Sequence, residues 1–145
     1  MAGYYNTNHK QRKMTANSLI RIAAILGFFA VVLGAFGAHA LESQLGPSQV
    51  EIFQTGVRYH FYHTIALFMV ALLMGRGQSG RSLRVAAWCF LLGIIFFSGS
   101  LYLLSTRPMT GLEASWLGPV TPIGGTIFIA GWTSLFIHTF YVSKK

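Results

Sequence analysis

Four long apolar runs constrain this chain more than any other feature. They cover about residues 17–41, 52–74, 83–104 and 121–142 of the 145. A helix rises 1.5 Å per residue, so a run of roughly 20–25 residues crosses about 30 Å of hydrocarbon. A membrane strand crosses in about ten residues and alternates strictly between apolar and polar positions. No such alternation occurs here. Inside lipid the backbone must satisfy its own hydrogen bonds, which makes each run a helix. The expected fold class is therefore all-α, an integral membrane bundle of four transmembrane helices.

Composition agrees. Hydrophobic residues make up 53% of the chain and charged residues only 10%, against about a quarter charged in a soluble domain. The net charge of +8 raises the question of nucleic acid, but the basic residues sit between the apolar runs and form no reading surface. No nucleic-acid partner is expected. The single cysteine, Cys89, lies within the third run and forms no intrachain disulfide.

Turn-forming segments separate the runs: Leu45-Gly46-Pro47-Ser48, then residues 75–81, then residues 106–119 with Pro108, Gly111 and Gly118. Orientation follows from lysine and arginine placement. With four crossings, Lys10, Arg12, Lys13, Arg21, Arg76, Arg81, Arg84, Lys144 and Lys145 share one side. Arg58 and Arg107 fall toward the other, together with Glu42, Glu51 and Glu113. This gives an N-in/C-in topology. Residues 1–16 form a basic N-terminal tail and residues 17–145 a single transmembrane domain. Ala38-His39-Ala40 matches a small-x-small cleavage pattern, but the first run exceeds the 7–15 apolar residues of a signal core. It is expected to remain as a span. A tail held in order would point to a lipid or protein surface holding it.

Small residues let helices approach closely where lipid supplies no hydrophobic drive. The expected packing positions are Ala23, Gly27, Ala30, Gly34 and Gly37 in the first span, Gly93 and Gly99 in the third, and Gly124, Gly125 and Gly131 in the fourth. Trp132 falls near mid-membrane, so its ring N–H needs a partner inside the bundle.

Imposing the topology gathers polar residues into the outer half. His39 and Glu42 end the first span. Glu51, Arg58, Tyr59, His60 and His63 open the second. Ser98, Ser100 and Tyr102 end the third, and Thr121 and Thr126 open the fourth. Polar groups at membrane depth are costly and face the bundle interior or water. Arg58 is expected to pair with Glu51, two turns away on the same face, or with Glu42 or Glu113. His39, His60 and His63 are weak candidates for a metal, and the same histidines for axial haem ligation. Neither a haem-attachment motif nor a helical metal signature accompanies them. No haem, metal or other cofactor is expected, whereas bound lipid is. The sequence has no aspartate and no nucleophile, base and acid in register. Enzyme activity is not expected.

The segments GAFGAHALE (34–42), TGVRYHFYHTIAL (55–67), FSGSLYLLS (97–105) and TPIGGTIFIAGW (121–132) touch all four spans. In that order they resemble the small membrane family known as domain of unknown function 423, which is related to transmembrane protein 256. The resemblance covers the chain from about residue 20 onward and implies a four-span architecture. It implies no reaction, substrate or cofactor.

Function then follows from size and surface. The chain is small, poor in acids and apolar almost everywhere, so lipid, other integral membrane subunits or a second copy must cover it. The expected role is a non-enzymatic accessory or structural subunit of a larger complex in the cell inner membrane or an equivalent energy-transducing membrane. Two alternatives stand beside it: a component of a transporter or channel for an anion or small polar solute, and a histidine-based haem or metal binder.

Overall fold

The computed structural model describes residues 14–41, 43–111, 113 and 115–142. The tail residues Lys10, Arg12 and Lys13, as well as Glu42, Lys144 and Lys145, lie outside them. Among the described residues four helices are long and apolar enough to cross a membrane. The first is α1 (Ala16–Phe36), prolonged by a π turn over Gly37–Leu41. The second is α2 (Pro47–Gly75). The third span runs Arg81–Ser105 and comprises α3 (Arg81–Gly93), a π turn (Ile94–Ser98) and α4 (Gly99–Ser105). A short α5 (Arg107–Thr110) precedes α6 (Leu117–Val142). Among the described residues there is no strand.

Local chemistry sets the boundaries. Thr15 caps α1, its hydroxyl oxygen accepting the Ser18 N–H at 3.2 Å. Pro47 stands in the first turn of α2, where its missing N–H costs nothing. The helix therefore begins before the apolar run does, and the expected Leu45–Ser48 break is shorter than its composition implied. Gly111 ends α5 in the left-handed region, at φ 64°. Part of the expected 106–119 loop is thus helical, and α6 takes Pro122 into its body.

The four helices follow one another in space as they do in sequence. The first lies along α2, α2 along the third span, and the third span along α6, while α1 and α6 share no extended packing. Side chains of α2 and α6 nevertheless meet over the third span, as Tyr59 and His63 reach Phe128. One apolar core, near the end of the row where α2 hands over to α3, contains Leu19, Ala23, Leu67, Val70, Ala71, Leu83, Ala87 and Phe90. A smaller one, near the opposite end, contains Leu41, Leu45 and Phe53.

Small residues shape each seam. A side chain at Gly27 meets Thr64, one at Gly34 meets Val57 and one at Gly37 meets the Phe53 ring. Ala23 and Ala30 are buried on the same side of α1. Between the third span and α6 three glycines admit aromatic rings, Gly93 taking Phe128, Gly125 taking Phe97 and Gly131 taking Phe90, while Gly124 admits the backbone of Phe97. Gly99 differs from the expectation. Nothing lies within 4 Å of a Cβ placed there, because the π turn just before it rotates this residue off the seam.

Candidate functional site

His63 is the centre of an aromatic cluster where α2, the third span and α6 meet. Its ring lies flat on Phe128, with centroids 3.4 Å apart and planes at 11°. Tyr59 packs on Phe97 at 4.5 Å, and Phe90 meets Trp132 edge-on at 5.3 Å. The Trp132 indole donates to His63 Nε2 at 3.2 Å. An indole nitrogen only donates, so Nε2 carries the lone pair. The proton therefore sits on Nδ1, which donates to the Tyr59 carbonyl at 2.7 Å. Both ring nitrogens are committed, and the neutral tautomer is fixed by geometry. A groove of about 590 Å³ opens beside the cluster, lined by Tyr59, Tyr62, His63, Phe128, Ile129 and Trp132, among others.

His60 lies one turn from His63 along α2 but has other partners. It is buried, and its Nδ1 is 3.1 Å from the Tyr102 hydroxyl. Gly56 makes this possible: a Cβ there would stand 3.0 Å from the Tyr102 ring. Phe53 closes the other side of that ring at 5.0 Å. Ser100 joins the third span to α6, donating to the Phe97 carbonyl at 2.9 Å and pairing with the Thr121 hydroxyl at 2.8 Å. Ser98 is wholly buried. The structure thus brings Tyr59, His60, His63, Ser98, Ser100, Tyr102 and Thr121 into the interior or along its edge.

Other candidates stand apart. His39 is exposed on the π turn that ends the first span. Among the described residues no three His, Cys, Asp or Glu side chains are grouped to hold a metal. His39, His60 and His63 therefore do not converge, and the Trp132 N–H occupies the lone pair His63 would offer. Thr126 is exposed and bonds back to the Pro122 carbonyl at 2.9 Å. Glu51 is exposed in the first turns of α2, and Glu113 is exposed in the loop before α6.

Arg58 departs from the expected pairing with Glu51 or Glu113. It is exposed and donates from Nη2 to the Thr55 hydroxyl at 2.9 Å. Thr55 in turn donates to the Glu51 carbonyl at 2.9 Å. Among the described residues no carboxylate pairs with Arg58; the third proposed partner, Glu42, lies outside them. The guanidinium folds back one turn onto Thr55 instead of reaching the second turn, where Glu51 stands.

Sequence reasoning missed a second polar knot. His138 is expected from its position to be a simple interface residue, but it is buried at 4% exposure. Its Nε2 is 3.1 Å from the Gln78 amide oxygen and its Nδ1 3.1 Å from the Ser82 hydroxyl. The amide oxygen accepts, so Nε2 carries the proton and Nδ1 takes the Ser82 O–H. This ties the α2–α3 connection to the far end of α6. A groove of about 500 Å³ runs beside it, past Ser79, Arg81, Ser82, Val85 and Ile137. The four-residue spacing of Gln78 and Ser82 was the available signal, but nothing local announced the partner 56 residues beyond Ser82.

Residues 33–125 match the family described as "Protein of unknown function (DUF423)". The chain is 42% identical over 118 residues to the UPF0382 membrane protein YwdK of Bacillus subtilis (strain 168), covering 81% of this chain and 92% of that protein. It is 41% identical over 124 residues to a UPF0382 membrane protein of Haemophilus influenzae, covering 86% and 94%. Against the UPF0382 inner membrane protein YgdD of Escherichia coli (strain K12) it is 36% identical over 138 residues, covering 91% and 96%. No solved structure matches. The chain belongs to this family of membrane proteins.

Proposed function

Taking that membership as the premise, we propose that the chain is a non-enzymatic accessory or structural subunit of a larger inner-membrane assembly, with both ends on the inner side. The observation that carries this reading is the free flank of α1. Phe28 and Val31 are 64% and 63% exposed, and Ile25, Phe29, Val32 and Phe36 are exposed with them. Among the described residues this helix packs chiefly along α2, so its other flank is available to membrane lipid, another integral subunit or a second copy. Large apolar faces of this kind mark contact surfaces.

The absence of a reaction is supported by the interior. His63 and His138 have both ring nitrogens committed to Trp132, Tyr59, Gln78 and Ser82, and no carboxylate orients either ring among the described residues. Transport has less support. The His60 layer and the His138 knot are separated by an apolar core that includes Leu67, Val70, Ala71, Ala87 and Phe90, whereas a pathway needs polar groups through the midplane. The inner-membrane location draws on the name of the Escherichia coli relative, and the orientation on the basic residues Arg76, Arg81 and Arg84 at one end.

Native mass spectrometry after extraction from the source membrane in mild detergent tests the role. The expected result is co-isolation with other integral membrane subunits in fixed ratio. Migration as a bare 16.0 kDa chain in every mild detergent overturns it. Accessibility of single cysteines placed at residues 2 and 145 tests the topology, and labelling from opposite sides refutes it.

A further inference from the structure

We propose that the seam between α2 and the third span is a hydration site, in which bound water bridges His60, Thr64 and Ser98 within the membrane layer. Among the described residues, three buried polar atoms have no hydrogen-bond partner: His60 Nε2, Thr64 Oγ1 and Ser98 Oγ. Their residues are 5%, 5% and 0% exposed. Buried polar groups are almost always bonded to protein or to ordered water.

The helix geometry places them on one strip. The third span runs antiparallel to α2: Gly56 meets Leu101 and Tyr102, Tyr59 meets Phe97, and His63 meets Phe90. Moving from His60 to Thr64 is one turn in one direction, and moving from Tyr102 to Ser98 is one turn in the same direction. The His60–Tyr102 hydrogen bond of 3.1 Å ties the two helices at the start of both steps. Ser98 closes the π turn Ile94–Ser98, a distortion that recurs at functional positions in helices. Thr64 faces Gly27, whose missing side chain leaves room on the α1 side: Thr64 Cγ2 stands 3.7 Å from where a Cβ would be.

Self-bonding does not account for these hydroxyls. Ser100, Ser105, Thr106, Thr126, Thr133 and Thr139 all bond to carbonyls of their own helices. The same option exists for Thr64 and Ser98 and is not taken. The ligand must be small, and it must both donate and accept, because each hydroxyl does both and His60 Nε2 does one or the other according to which atom of the Tyr102 pair holds the proton. One ring nitrogen and two neutral hydroxyls do not hold a divalent cation. Water meets every requirement, with its usual two to four polar partners.

Water-edited solid-state NMR of isotope-labelled protein in bilayers with deuterated acyl chains tests this. Magnetisation is expected to pass from water protons to the His60 ring and to Thr64, but not to His63, whose nitrogens are both taken by protein. The double variant Thr64→Val, Ser98→Ala is expected to lose the transfer to His60, down to the His63 level. No transfer to His60 in the unmodified protein, or undiminished transfer in the folded double variant, overturns the proposal. If the double variant does not fold, the comparison of His60 with His63 in the unmodified protein decides alone.

Discussion

The approach of the Phe97 backbone to Gly124 gives the most demanding test. A Cβ at Gly124 would collide with the backbone nitrogen of Phe97 and stand 2.7 Å from its Cα and 2.8 Å from its Cβ. A flexible side chain yields to such pressure, but backbone does not. The third span and α6 must therefore separate along the contact, which loosens Phe97 against Gly125 and Phe128 against Gly93. Overpacking costs about 1–3 kcal/mol, and contact with backbone places Gly124→Ala at about 2–3 kcal/mol. That lowers the folded-to-unfolded ratio roughly 30- to 150-fold, since 1.4 kcal/mol is tenfold. The control is Gly99→Ala, where the added methyl meets nothing within 4 Å. Helix propensity contributes little to this comparison, because spans inserted in lipid are helical before they associate. Gly99→Ala should thus stay within about 0.5 kcal/mol of the unmodified protein. Reversible unfolding in mixed micelles, followed by tryptophan fluorescence, measures both. If Gly124→Ala is as stable as the parent, or Gly99→Ala is equally damaging, the close approach is not what holds these helices.

Other outcomes follow from the polar contacts. Trp132→Phe keeps the ring against Phe90 but leaves His63 Nε2 without its donor; it should cost about 0.5–2 kcal/mol and shift the His63 ring nitrogens in NMR. His138→Phe should speed proteolysis of the α2–α3 connection, since Gln78 and Ser82 lose their shared anchor; an unchanged cleavage rate refutes that role. Arg58→Gln should change stability by less than about 0.5 kcal/mol, the range of an ordinary exposed substitution. A loss of several kcal/mol in the same micelle assay would restore the paired carboxylate.

The spans were legible because length and apolarity are carried by each segment alone. Ala23, Gly27, Ala30, Gly34 and Gly37 could likewise be placed by spacing, since α1 uses one face for one neighbour. Gly99 could not, because its orientation depends on the π turn at Ile94–Ser98, and helical periodicity assumes a regular helix. The polar layer was legible as a depth but not as a set of partners. Rotation about each axis decides that His63 meets Trp132, that His60 meets Tyr102 and that Thr126 faces away. Arg58 shows the same limit on a smaller scale: sequence spacing allowed Glu51, and the rotamer chose Thr55. The knot at His138 escaped because it joins a connection to the far end of another helix.

The order of helices in space has a consequence for assembly. Each span after the first packs along the span made just before it, so no helix must wait for a distant segment of the chain. Such local pairing closes short loops and forms quickly. The hairpin of α1 and α2 can settle while the later spans are still being synthesised, and the third span and α6 can then add to its open side. Errors of pairing are restrained by the order of synthesis as well as by the shapes of the surfaces.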